Sequence, residues 1–141
     1  MVDTNIVFSG VIFDGPEARL LGMAQSGAFT LLIPDYVVAE ARAVVSRKMP
    51  AFLDVLGEFM DQGFLVRVPP PPPDLIFVAE RMIRDRKDCI VLASAMDANP
   101  FCLVTGDKDF HTEVIRAKVM VVTANQAISL LSGMGLWESS H

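Results

Sequence analysis

The sequence predicts an α/β fold with a mostly parallel sheet, arranged as one three-layer domain. Short apolar runs at residues 29–33, 64–68, 101–104 and 119–122 alternate with longer stretches whose apolar residues recur at helical spacing. The runs are continuous rather than alternating, as expected of strands covered on both faces in a parallel sheet. The length, 141 residues, suits one domain and can bury a core without disulfide or metal staples.

Taken in order, the chain is expected to open with an extended segment, because residues 6–8 and 11–13 are apolar and flank Ser9-Gly10. Pro16 then suits the first turn of a helix, Leu20, Leu21, Met23 and Ala24 give that helix its apolar face, and Gly27 closes it. After the strand at 29–33, Asp35 is the expected N-cap of a helix running to Arg47 and Lys48, whose charges suit a helix C-terminus. A further helix is expected over 51–62, ended by Gly63, and a strand over 64–68. The five prolines 69–73 read as a stiff extended connector, and Asp74 as the cap of the next helix. Asp88 heads a helix over 90–98 that is apolar on nearly every side and therefore buried. The strand at 101–104 feeds a Thr105-Gly106-Asp107-Lys108-Asp109 loop, followed by a helix near 110–117, a strand at 119–122 and a last helix over 124–131. A single domain is expected over 1–131, with a frayed tail over 132–141 that contains Trp137.

Composition narrows the function classes. The chain is 52% hydrophobic and 21% charged, with a mean hydropathy of +0.42, which is not the composition of a disordered segment. No apolar run approaches the roughly 18 residues of a membrane span. Asp3 and Asn5 stand where a secretory signal would be basic, so the expected location is the cytoplasm. A net charge of −5 excludes a uniformly basic nucleic-acid-binding surface, although a local basic patch remains open. Cys89 and Cys102 are expected to be reduced and buried. Zinc is disfavoured, since there is no C-x-x-C and the only histidines are His111 and His141.

Four acids stand out against this background. In open parallel sheets functional groups gather beyond the carboxyl ends of the strands. Asp107 follows a strand, Asp3 lies beside apolar Val2 and Ile6, Asp88 heads an apolar helix, and Glu40 shares a helix face with Val37 and Val44. Each alone has an ordinary explanation as a cap, a turn or a surface charge. Four acids from four βα contexts meeting at one sheet edge would repel each other, and divalent cations such as Mg²⁺ or Mn²⁺ would relieve that repulsion. Two such ions can drive an in-line attack of water on phosphorus. Positive charge for a phosphate backbone is available in Arg81, Arg84, Arg86 and Lys87, four of the 12 basic residues within seven positions, and in Lys108. No aromatic residue interleaves with that cluster, so no base-stacking platform is evident.

The ordered set Asp3-Thr4-Asn5, Pro34 through Glu40, Asp88 with Ala93 and Ala95, and Leu103 through Phe110 resembles the PIN domain family, whose members include the VapC-type toxin ribonucleases. The stretch 16–48 looks closest to the toxin subgroup. The resemblance implies a Rossmann-like three-layer α/β/α fold and a Mg²⁺- or Mn²⁺-dependent nuclease acting on RNA. It further implies an acidic cluster of Asp3, Glu40, Asp88 and Asp107 with Asp109 as an auxiliary, and Asn5 and Thr105 as residues that orient it. For a toxin it implies an antitoxin protein partner, and it implies a homodimer, for which the helix at 51–62 offers an apolar surface. Only Met1 and Val2 precede Asp3, fewer strand residues than family members carry there. A non-catalytic module of the same fold, binding RNA or protein, is the alternative from another class. A haloacid-dehalogenase-like phosphatase would need an acid where Asn5 stands, and neither a P-loop nor a G-x-S-x-G elbow is present.

Overall fold

The computed structural model describes residues 1–133, which form eight α-helices and four short parallel strands. The first departure from expectation is at the start. Residues 6–13 carry β-branched and aromatic side chains suited to a strand, yet Thr4–Ile12 is a helix, α1. The Asp3 side chain caps it by accepting from the Ile6 amide at 3.1 Å. Ile6 and Val7 are buried, and α1 packs against three other helices, so tertiary burial overrides the local preference for extended chain.

Helix α2 (Pro16–Gln25) begins with proline as expected. It ends in a Schellman motif: Ala28 N–H donates to the Met23 carbonyl and Gly27 N–H to the Ala24 carbonyl, each at 3.0 Å, with Gly27 at φ +93°. Strand β1 (Leu31–Pro34) leads into α3 (Asp35–Lys48). Asp35 is the first helical residue rather than the cap, a position occupied by Pro34. The helix expected over 51–62 is a 3₁₀ turn, Pro50–Phe52, continued by the shorter α4 (Leu53–Met60). Strand β2 (Leu65–Val68) precedes the prolines, the last of which starts α5 (Pro73–Glu80), with Pro72 rather than Asp74 at the cap position. Helix α6 (Arg86–Ala98) is capped by Asp85 and ends at Asn99, which is left-handed at φ 50°. Strand β3 (Leu103–Val104), a 3₁₀ turn Lys108–Phe110, α7 (Glu113–Arg116), β4 (Val121–Val122) and α8 (Ala124–Gly133) complete the order. Ser132 and Gly133 are thus helical, while the rest of the expected tail, Trp137 included, lies outside the described residues.

The strands are all parallel but do not make the sizeable sheet that the alternation suggested. β1 pairs with β2 and β3 with β4, in two two-stranded sheets. The N-terminal dipeptide lies between them. Val2 N–H donates to the Leu32 carbonyl at 3.3 Å, Val104 N–H donates to the Met1 carbonyl at 2.8 Å, and Val2 bridges Val104 in parallel. Two residues ahead of Asp3 are therefore enough to bond to both neighbours. The strands run the same way, so their carboxyl ends deliver Asp3, Asp35 and Thr105 to one side of the molecule. Beneath them lies a core that fully buries Leu20, Met23, Leu31, Ile33, Leu92, Leu103 and Phe110. Cys89 and Cys102 are both free and buried.

Candidate metal centre

Asp3 is held from both oxygens. Oδ1 caps α1, and Oδ2 accepts a short hydrogen bond from the Thr105 hydroxyl, which comes from the end of β3. The Thr105 oxygen in turn accepts from the Asp107 amide at 3.1 Å. Burial pushes the Asp3 carboxyl above its ordinary range; the Thr105 and Ile6 bonds oppose that rise and the Asp107 charge adds to it.

Glu40, half-buried on α3, is equally engaged. Oε1 accepts from the Thr4 hydroxyl at 2.5 Å, and Oε2 accepts from the Tyr36 hydroxyl at 3.0 Å and lies 3.4 Å from the Lys87 ammonium. The Tyr36 phenol is pushed up to about 12, by burial first and then by its bond to Glu40.

The remaining acids are arranged differently. Asp85, not Asp88, caps α6, accepting from the amides of Lys87 at 2.8 Å and Asp88 at 3.3 Å. Asp88 is consequently free, in the first helical turn, to face the loop after β3. There Asp107 accepts from the Asp109 amide at 2.9 Å, which starts the 3₁₀ turn. Carboxylate oxygens of Asp88, Asp107 and Asp109 all lie within 4.8 Å of one another. Asp88 is pushed up to about 7, by burial and then by the charges of Asp107, Asp85, Asp3 and Asp109. A small cleft of about 60 Å³ joins the two groups, lined by Asp3, Asn5, Glu40, Lys87, Asp88 and Asp107 among others. Larger hollows, about 840 Å³ beside β4 and α8 and about 300 Å³ between Leu31, Phe101 and Leu131, are lined by no carboxylate among the described residues.

The four acids expected to converge therefore do line one cleft, but the three whose oxygens are mutually close enough to share an ion are Asp88, Asp107 and Asp109. Crowded, hard oxygen donors whose mutual repulsion raises a carboxyl toward neutrality are the set a divalent cation fits. Of the expected substrate contacts, Lys87 lines the cleft, while Arg81, Arg84 and Arg86 are exposed around the α5–α6 turn and Lys108 is exposed on the 3₁₀ turn.

Sequence reading passed over several residues. Tyr36 precedes Glu40 by four positions and Asp85 precedes Asp88 by three, helical spacings that were visible. Thr4 stands within the Asp3-Thr4-Asn5 motif, which gives it no role of its own. His111 fixes the loop: its Nε2 lies 2.8 Å from the Thr105 carbonyl and its Nδ1 3.2 Å from an Arg116 guanidinium nitrogen. Arginine can only donate, so Nδ1 accepts and Nε2–H donates to Thr105. Phe77, four residues before Arg81, has that guanidinium 4.9 Å from its ring centroid.

A family model described as PIN domain matches residues 1–109, a range that takes in every acid of the cleft. No curated protein matches the chain.

Proposed function

We propose that this chain, which belongs to the PIN domain family, is a divalent-metal-dependent endoribonuclease. The observation that carries this reading is the meeting of Asp88, Asp107 and Asp109 within 4.8 Å at the carboxyl edge of the strands. These three residues would hold Mg²⁺ or Mn²⁺, with Asp3 and Glu40 bordering the same cleft. Such an ion supplies Lewis acidity and an activated water for attack on a phosphodiester. The chain itself does the placing. Thr105 ties Asp3 to the Asp107 amide, so the loop that bears Asp107 and Asp109 is fixed to the start of α1. Asp85 takes over the capping of α6 and leaves Asp88 to the cleft. Lys87, beside Asp88 and exposed, can hold a phosphate of the substrate once it leaves Glu40.

The finer reading is a toxin restrained by an antitoxin. An acidic cleft in which Lys87 makes the sole ion pair among the described residues suits a partner that inserts a lysine or arginine. The exposed Leu53 and Val55 on α4 support a homodimer through that helix.

Cleavage of labelled single-stranded RNA with Mn²⁺ or Mg²⁺, with and without EDTA, tests the nuclease. Wild type is expected to cut only with metal, and Asp107→Asn to lose the activity. Equal cutting by both proteins would point to a contaminant. No cutting by either, across varied RNAs, would favour the non-catalytic module.

A further inference from the structure

The basic turn between α5 and α6 has a feature that the metal site does not use. Arg81, Arg84 and Arg86 are exposed, and none has a carboxylate partner within 4.0 Å among the described residues, in a chain of net charge −5. Phe77 on α5 is 58% exposed, and the Arg81 guanidinium lies over its ring, 4.9 Å from the centroid. More than half of Phe77 stays exposed, and an aromatic ring with a guanidinium over it offers the kind of π surface on which an unstacked base settles. α5 packs against α6, and Arg86 opens α6 two residues before Asp88.

We propose that Phe77 and Arg81 form a stacking subsite for an unpaired nucleobase of RNA, with Arg84 and Arg86 holding the flanking phosphates, beside the carboxylate cleft. This rests on the nuclease reading for its ligand and deepens it by assigning a subsite outside the metal centre. A lone exposed aromatic is unremarkable on a protein surface. One guanidinium on an exposed ring, with two more arginines without an ion pair in the turn that follows, matches the charge of a polynucleotide and the combination of stacking with backbone attraction by which single strands are bound. A helix-end patch bearing Phe77 and the 41%-exposed Val78 could instead contact protein, and the experiment separates the two.

The probe is a short single-stranded oligoribonucleotide carrying 2-aminopurine, titrated with the full chain at low salt, with EDTA and with Mn²⁺. Stacking on the subsite is expected to quench the fluorescence. Phe77→Leu should abolish the quench and weaken binding roughly five- to a hundredfold, while Phe77→Tyr restores both and Arg81→Gln weakens both. The same strand in a duplex should give no quench. Phe77 is exposed, so the variants should melt as wild type does. A Phe77→Leu protein that binds and quenches like wild type overturns the proposal, as does wild type that never quenches. A variant that changes only its sedimentation as an oligomer overturns it in favour of a protein interface. RNA cleavage is scored separately: Phe77-dependent quenching without cutting would sink the nuclease and keep the subsite, and metal-dependent cutting with no Phe77-dependent quench would do the reverse.

Discussion

The two sides of the cleft are built from the same side-chain type and put it to opposite uses. On one side Asp3 and Glu40 spend their oxygens on the chain: Ile6, Thr105, Thr4, Tyr36 and Lys87 occupy them. On the other, Asp88, Asp107 and Asp109 crowd one another with few donors between them. A carboxylate whose lone pairs face amides and hydroxyls is satisfied without an ion, whereas one that faces other carboxylates is not. Sharing a cleft does not give the acids one arrangement: the first pair braces α1, α3 and β3 together, and the trio is the part that, on the proposed reading, a cation would complete.

The sharpest way to break this division is to titrate Mn²⁺ into single variants. Asp88→Asn and Asp107→Asn should weaken binding by more than roughly a hundredfold, beyond the 10–100-fold that outer partners of a metal site command. Glu40→Gln keeps a side-chain oxygen for Thr4 or Tyr36 and should cost only several-fold. If Glu40→Gln abolished binding as completely as Asp107→Asn, the two sides would be one ligand set.

The brace is tested next, through Thr105. Thr105→Val keeps the shape but removes the hydroxyl that serves the buried Asp3 and the Asp107 amide. Leaving such groups unpaired costs about 1–3 kcal/mol, read as a lowered denaturant midpoint at unchanged slope. Mn²⁺ affinity should fall as well, because the Asp107 loop loses its anchor, and Thr105→Ser should rescue both. Unchanged stability in Thr105→Val would mean that Asp3 does not depend on the brace.

How much of this was legible follows from what periodicity can report. The helices from Pro16, Asp35 and Arg86 carry caps or apolar stripes in their own sequence, and so does the Gly27 stop. α1 was not legible, because Ile6, Val7, Phe8, Val11, Ile12 and Phe13 have the composition of a strand and only the helices packed around them decide otherwise. The strands shrank to two residues at β3 and β4, since an apolar run shows burial but not how much of it finds a pairing partner. For the site, the four acids and the auxiliary Asp109 could be picked out by apolar neighbours, strand ends and family resemblance, but these five could not be divided into brace and trio. That division depends on the Thr105–Asp3 bond, which spans 102 positions, and on Asp85 displacing Asp88 from the cap. The Phe77–Arg81 pair was within reach at a spacing of four, hidden because Phe77 lies just ahead of the basic run.

The smallest expected effect is on the pH dependence of the metal-free protein, and it isolates the trio. Asp88 titrates near 7 in the folded chain against an ordinary 3.8, so between those values the folded state holds a proton that the unfolded state has released. Stability must then fall as pH rises through that window and level off above it, the reverse of a salt-bridged carboxylate. Asp88→Asn removes the titration. In EDTA, its stability relative to wild type should therefore climb between about pH 4 and pH 7, by about 1 kcal/mol or less because the carboxyl is only half-buried and solvent screens its neighbours. Saturating Mn²⁺ should invert the comparison, since the ion binds the ionised native site and stabilises wild type alone. Paired denaturant melts at several pH values, with EDTA and with Mn²⁺, give both curves. A difference between the two proteins that stays flat from pH 4 to 8 would mean that the trio is not crowded enough to favour an ion, and Asp88 would then belong with Asp3 and Glu40.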